Sequence, residues 1–296
     1  MTMVPRAYRE KPVMFYPFRL LHLLSFLFLA GSVTFFVFGI LGLYQSHWYS
    51  KEVRWITPFL PFPVAFVDER VVWYNEAADY AAVFAAYESE EEAMIDPFSS
   101  GVDRAIDLVV LRSLADALSV SVSTADVRAY ASTDDDQEAF MEATAWSHRD
   151  YDRYVIEPLL LAQKIEPAAY ASRDFQQNVY GEMESLLERI DLGITFSDLA
   201  EQYSDDSSSA YGGMLGFLEE DSFEEGMESL FDLPVGEVSE ILEGDTYYLI
   251  AKALDETVVD GERVAVSLQI ITKNKNPFAN VFETYKEART IRRFIE

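Results

Sequence analysis

The chain has 296 residues, half of them hydrophobic and 14% aromatic, which supports a packed core and argues against global disorder. Its formal net charge is −28 and its pI is near 4.3, so its surface repels phosphate backbones and nucleic acid is excluded as a partner. It has no cysteine and only three histidines, His22, His47 and His148; this excludes disulfides, thiolate nucleophiles, cysteine-based zinc sites and a histidine-rich metal centre, and no cofactor or metal is expected.

Residues 1–19 form a short tail carrying Arg6, Arg9, Lys11 and Arg19 against the single acid Glu10. Leu20 to Tyr44 (LLHLLSFLFLAGSVTFFVFGILGLY) follows, 25 residues without a formal charge. As a helix it is roughly 37 Å long, enough to cross about 30 Å of hydrocarbon with some tilt. Lys51 and Arg54 on its far side are offset by Glu52, Asp68 and Glu69. The basic excess therefore predicts a cytoplasmic N-terminus, one transmembrane helix over 20–44 and an extracytoplasmic remainder in the inner or plasma membrane. Trp48, Tyr49 and Trp55 stand where an outer aromatic belt would.

Residues 45–63 read as a linker, with Thr57 to Pro63 (TPFLPFP) a stiff, proline-rich spacer holding the next domain away from the membrane. Residues 64–173 read as mostly helical: a short strand or turn, a helix from about Asn75, a loop at 95–101, and an amphipathic helix over 102–118 with Ile106, Val109, Val110, Leu114 and Ala117 on one face. Ser123 to Asp126 (STAD) marks a helix start. Short helices are predicted over 138–144 and 151–165, the latter kinked or broken by Pro158. Three stripes at helical spacing follow: Met183, Leu186, Leu187, Ile190; Phe196, Leu199, Ala200, Tyr203; and Phe223, Met227, Leu230, Phe231. Strands are predicted at 238–242, 246–254 and 264–272, and a basic C-terminal helix over 279–296, packed back on the acidic body. The fold class is α+β, with helices and strands partly segregated.

Four segments in order carry a family resemblance. ITFSDLAEQYSDDSSSA (194–210), GGMLGF (212–217), FDLPVGEVSEIL (231–242) and TYYLIAKAL (246–254) resemble the helix, turn and strand motifs of the parvulin (PpiC-type) peptidyl-prolyl isomerase domain. Upstream, VAFVDERVVWYNEAADYAAVF, LADALSVSVSTADVRAY and residues 146–165 resemble the helical chaperone domain of SurA-type foldases. The resemblance implies a helical chaperone-like domain over 64–173, a parvulin-like domain with a small antiparallel sheet over 174–272, and a C-terminal helix over 273–296. It implies Xaa–Pro isomerisation, which lowers a barrier of ~20 kcal/mol without covalent chemistry by gripping the proline ring in an apolar socket and favouring the twisted amide. The partners it implies are unfolded or proline-containing polypeptide clients.

This sequence departs from the family at two histidines. The second falls on Tyr248; the first has no counterpart before residue 182, whereas Gln269-Ile270-Ile271 matches its strand after the last motif. The expectation is a permuted sheet in which residues 264–272 fill the first strand's place, with Asp206, Tyr248 and Gln269 as the catalytic polar groups. Leu215 and Phe217 belong to the substrate pocket. Its other wall is Phe223 and Met227 when one deletion is placed after GGMLG, and Ser222 and Gly226 otherwise. Three readings remain open at this point: an active membrane-tethered isomerase, a catalytically degenerate chaperone that holds clients in apolar grooves, and a scaffold subunit of a membrane complex.

Overall fold

The structure, a computed structural model, describes residues 17–47, 49, 62–87, 96–134 and 137–295. The predicted cytoplasmic tail up to residue 16, Trp48, Trp55 and most of the proline-rich spacer lie outside the described residues.

The first helix, α1, runs over Pro17–Ser46, about 45 Å at 1.5 Å per residue. Phe26, Leu27, Phe28, Leu29 and Val33 are exposed on it. Among the described residues no helix is long and apolar enough to cross a membrane; the side chains at 17–24, 35, 36, 38, 40 and 46 are outside that description. Where the sequence predicts a spacer between the apolar helix and the next domain, the structure instead brings the end of α1 into that domain's core. Leu43 is buried, the Tyr74 hydroxyl donates to the Leu43 carbonyl at 3.0 Å, and the Tyr44 hydroxyl donates to Pro63 at 2.6 Å. His47 stacks on Phe98 and pairs with Asp96 at 2.8 Å.

The helical unit begins with strands β1 (Pro63–Val67) and β2 (Arg70–Trp73), paired antiparallel around Asp68 in the left-handed region. Helices α2 (Tyr74–Tyr87) and α3 (Pro97–Ala117) pack face to face. They approach closely because Gly101 lies against the Ala77 carbonyl, where an added Cβ would meet the oxygen at 2.3 Å. Where the sequence predicts a loop over 95–101, α3 already begins at Pro97. Asp96 caps α3 by accepting from the Phe98 N–H, and Pro97 fits the first turn, where its missing N–H costs nothing. Helices α4 (Thr124–Ala131), with a Ser123–Asp126 capping box, and α5 (Gln137–Thr144) follow. The predicted break near Pro158 takes the form of a π-turn (Asp152–Ile156) between α6 (His148–Tyr151) and α7 (Glu157–Ala171), with Pro158 in the first turn of α7.

The second unit holds α8 (Arg173–Asp191), α9 (Phe196–Tyr203) and a sheet of β3 (Met214–Leu218), β4 (Leu242–Glu243), β5 (Tyr247–Val259) and β6 (Glu262–Asn274). The strand order is β3-β6-β5-β4. β5 and β6 form a long hairpin whose tip, Asp260-Gly261, takes the left-handed conformations of a two-residue turn. Two predictions fail here. The helix expected over 223–231 is a pair of short 3-10 turns, Glu220–Ser222 and Glu228–Leu230, because Gly226 sits at φ +87° between them and ends any regular helix. Of the strand expected at 238–242, β4 retains only its end, with a single bridge from Val238 to Lys252.

After β6 the chain returns to the first unit. α10 (Phe278–Glu287) packs on α3 and α7, burying Val281 beside Leu114 and Ile165. The helix predicted to run to residue 296 stops at Glu287, and Ile291–Arg293 forms β7, paired with β1. Asp68 explains the stop: its carboxylate accepts from the Thr290 N–H at 2.8 Å and pairs with Arg289, while its own N–H donates to the Thr290 carbonyl. The predicted packing of the basic terminus on the acidic body holds, through Lys286–Asp107 and Arg293–Asp103, each at 2.6 Å. The unit at 173–274 is thus an insertion between two halves of a helical unit. Gln176 and Asn276 clasp the crossing point: the Asn276 N–H donates to Gln176 at 2.7 Å, and the Gln176 amide donates back to the Asn276 carbonyl.

Candidate functional site

The two faces of the four-stranded sheet follow from strand alternation. On one face Tyr248, Ile250 and Ile271 pack under α8 and α9 against Met183, Leu186, Phe196 and Leu199. On the other, Leu249, Ala251, Ala253, Val266, Leu268 and Ile270 meet Met227, Leu230 and Phe231, with Leu218 and Phe223 at the margin. Arg263 fastens the 3-10 turn segment over this second face by donating from Nη1 to the carbonyls of Phe231 at 2.6 Å and Leu233 at 3.0 Å, while its guanidinium pairs with Glu256. The Tyr247 hydroxyl donates to Glu224 at 2.8 Å and ties down the segment's other end. Burial, with that carboxylate beside it, pushes the Tyr247 hydroxyl up to about 12.

Strand β6 lies inside the sheet, between β3 and β5. The C-terminal segment is therefore a central strand, as the permuted arrangement requires. Gln269 and Tyr248 are on adjacent strands and the same face, but Tyr248 pairs with Lys273 and Gln269 with Lys252. Four residues along a strand separate them by roughly 13 Å, so they are not side by side.

The expected polar residues each serve the scaffold. Gln269 is buried and its Nε2 donates to the Gly212 carbonyl at 3.0 Å, holding the glycine turn. Tyr248 is 1% exposed and stacks edge-on against Tyr180 at 5.3 Å. Burial, reinforced by Glu243, raises its pKa against the opposing pull of Arg173, and its hydroxyl has no hydrogen-bond partner of good geometry. Asp206 caps the 3-10 turn Ser207–Tyr211 by accepting from the Ser208 N–H at 2.8 Å; hydrogen bonds from Ser208 lower its pKa. Its neighbours Ser204 and Asp205 pin the loop to β6: Ser204 Oγ accepts from the Thr272 N–H, and Asp205 accepts from the Asn274 N–H and pairs with Lys273.

Of the expected pocket residues, Phe223 and Met227 come together on the second face, and this favours the alignment with a deletion over the one that uses Ser222 and Gly226. Phe223 and Phe231 meet edge to face at 6.3 Å. Leu215 and Phe217 do not join them: they are exposed on the bulged edge strand β3, where Leu218, opposite Val266, points to the cluster instead. Tyr248 and Gln269 lie on the opposite face from Phe223 and Met227. The sequence reading did not place Leu218, Leu249 and Leu268 beside Phe223 and Met227, although each stands one position from a residue it did single out.

A separate concavity of about 500 Å³ opens in the helical unit, lined by Tyr80, Phe84, Phe140, Trp146, Tyr154 and Phe282 among others. The Tyr80 hydroxyl donates to the Tyr154 carbonyl at 3.0 Å, and burial pushes it up to about 12. Among the described residues no group of His, Asp and Glu side chains is arranged to hold a metal ion.

Residues 168–257 match the model of the PPIC-type PPIase domain. No curated protein matches the chain. The match supports a peptidyl-prolyl isomerase or foldase role, with proline-containing polypeptides as clients. It ends before β6, so the strand completing the sheet comes from outside the matched segment.

Proposed function

We propose that this chain is a membrane-anchored, extracytoplasmic foldase whose parvulin-like domain binds proline-containing segments of exported proteins and accelerates Xaa–Pro isomerisation weakly. The observation that carries the reading is the match over 168–257, coinciding with a sheet whose second face holds Phe223 and Met227 over Leu249 and Leu268. The uncharged run over 20–44 and the basic excess before it support the anchor and its orientation.

A proline ring seated against Met227 and Phe223 would bring its preceding amide out of water. The planar amide is the more charge-separated form, so desolvation disfavours it relative to the twisted one and lowers the rotation barrier. The Tyr247 hydroxyl beside this face already donates to Glu224 and so is not free to donate to the amide nitrogen, and a preorganised polar donor is the larger part of what a site of this kind adds. Catalysis by apolar burial alone is therefore modest. The test is the rate of cis–trans exchange in a proline peptide with catalytic amounts of the detergent-solubilised full chain. An acceleration saturable by a second proline peptide supports the reading. A folded protein that neither accelerates exchange nor competes for the peptide removes it.

One observation favours a second reading, in which the helical unit holds clients without catalysis: its aromatic concavity has an apolar mouth at Phe84 and Leu159, both exposed. Retention of unfolded-client binding after the sheet's second face is disrupted would select it.

A further inference from the structure

Strand β3 ends the sheet, with no partner on its outer side among the described residues. Met214, Leu215 and Phe217 on it, and Tyr211 just before it, are 53%, 41%, 55% and 76% exposed. β3 carries no lysine or proline to blunt this edge; its one irregularity is the bulge between Met214 and Gly216, which leaves Phe217 and Leu218 in register with β6. An exposed apolar edge of this kind accepts an extended polypeptide as an added strand, with backbone hydrogen bonds for affinity and side-chain contacts for selection.

Charge identifies the segment it takes. Residues 190–251 contain sixteen aspartates and glutamates and no lysine, arginine or histidine, more than half of the chain's net charge of −28 in about a fifth of its length. Glu219, Glu220 and Asp221 leave the C-terminal end of β3, whereas Asp205 and Asp206, before its N-terminal end, are taken up by Lys273 and by the Ser208 N–H. Glu219, Glu220, Asp221, Glu224, Glu225 and Glu228 are exposed, and none takes part in an ion pair among the described residues. The cations on β6 and just after it are already engaged: Lys273 by Asp205, Lys275 by Glu243 and Arg263 by Glu256. Lys252 sits on β5, two strands in.

We propose that β3 is the docking edge for clients of a particular class: extended segments with an apolar, proline-containing centre flanked by lysine or arginine on the side that meets Glu219, Glu220 and Asp221. This rests on the foldase reading and adds the specificity to it. The five residues of β3 span about 15 Å, so the basic flank falls just past an apolar centre of about five residues, facing Glu219, Glu220 and Asp221.

The test uses the detergent-solubilised full chain, a neutral detergent and two fluorescent peptides sharing one apolar proline-containing core, flanked by lysines or by glutamates. Anisotropy titrations at low salt should show the lysine-flanked peptide binding at least about tenfold more tightly, an advantage shrinking to about threefold or less in 0.5 M salt as screening sets in. The combined variant Glu219→Gln, Glu220→Gln, Asp221→Asn should lose most of the preference with unchanged circular dichroism. Phe217→Ser should weaken both peptides alike. Equal binding of the two peptides, or a preference that survives in the triple variant, overturns the inference and leaves the foldase reading standing. Failure to bind either peptide, together with no acceleration of proline exchange, removes both.

Discussion

On one face of the sheet, Tyr248, Gln269 and Ile271 lie beneath two helices, and every polar atom there is spent on holding loops and turns in place or is sealed from water. On the other, Leu249, Leu268 and Ile270 meet a glycine-broken segment fastened at a few points by Arg263 and Tyr247. The first face is scaffold and the second is the candidate socket. Identity alone does not mark the functional residues: Tyr248 and Leu249 are neighbours in sequence and differ in role because successive side chains on a strand point to opposite faces.

The comparison breaks most readily at the centre of each face. Leu199→Ala under the helices and Leu268→Ala on the socket side remove fully buried side chains and should each cost about 2–5 kcal/mol in urea denaturation of the full chain. Their consequences should then diverge: in conditions where both variants are folded, only Leu268→Ala should weaken proline-peptide binding. The glycines around β3 give a sharper pair. Gly213 and Gly216 both have φ near +80°, but a Cβ on Gly213 would meet the Ile270 carbonyl oxygen at 2.2 Å, whereas one on Gly216 meets nothing. Gly213→Ala should therefore cost well over 2 kcal/mol and Gly216→Ala about 1–2 kcal/mol, the conformational strain alone, measured by the same denaturation.

Alkaline titration probes both units at once. Tyr80 and Tyr247 are pushed up to about 12 from an ordinary value near 10. Below pH 10 folded and unfolded chains both keep these protons. Between pH 10 and 12 the unfolded chain releases them and the folded chain does not, so the unfolded state binds fewer protons and stability falls as pH rises. The denaturation midpoint should drop through that window, and Tyr80→Phe should blunt the drop. A midpoint flat to pH 12 would contradict the burial assigned to these hydroxyls.

The smallest effects are expected at the polar residues the sequence singles out. Asp206→Ala removes a turn cap and should cost about 1 kcal/mol. The lowered pKa of Asp206 means this contribution is present above the ordinary carboxylate range and is lost as pH falls through its folded value, so variant and parent should converge in acid. Tyr248→Phe deletes a buried hydroxyl with no well-formed hydrogen bond and should shift the denaturation midpoint little.

Much of this was legible in the sequence. The 3.6-residue stripes placed α3, α8 and α9, and the capping pattern at Ser123 placed the start of α4. The last family motif placed β5 and the apolar run at 264–272 placed β6, the two inner strands of the sheet, whereas β3 lies in a motif read as a turn. The remainder was hidden for identifiable reasons. Phe223, Met227, Leu230 and Phe231 have helical spacing, yet Gly226 at φ +87° turns the segment into two short 3-10 turns. The C-terminal basic run has helical composition, but the Asp68 carboxylate, more than 200 residues away in sequence, holds Thr290 and pairs with Arg289, and the chain turns into β7. Tyr248 and Gln269 were placed by motif position, and which face they occupy was fixed only by the pairing of β5 with β6. The Asp260-Gly261 pair between those strands is a strong hairpin signal that points to that pairing.

The most direct measurement is proline-peptide exchange catalysed by the full chain in three forms: parent, Met227→Ala and Tyr248→Phe, each verified as folded. A socket on the apolar face predicts weak catalysis in the parent, at least about a tenfold loss in Met227→Ala and rates within about twofold of the parent in Tyr248→Phe. Loss of exchange in Tyr248→Phe with Met227→Ala still active would contradict that assignment and move the chemistry to the helix-covered face.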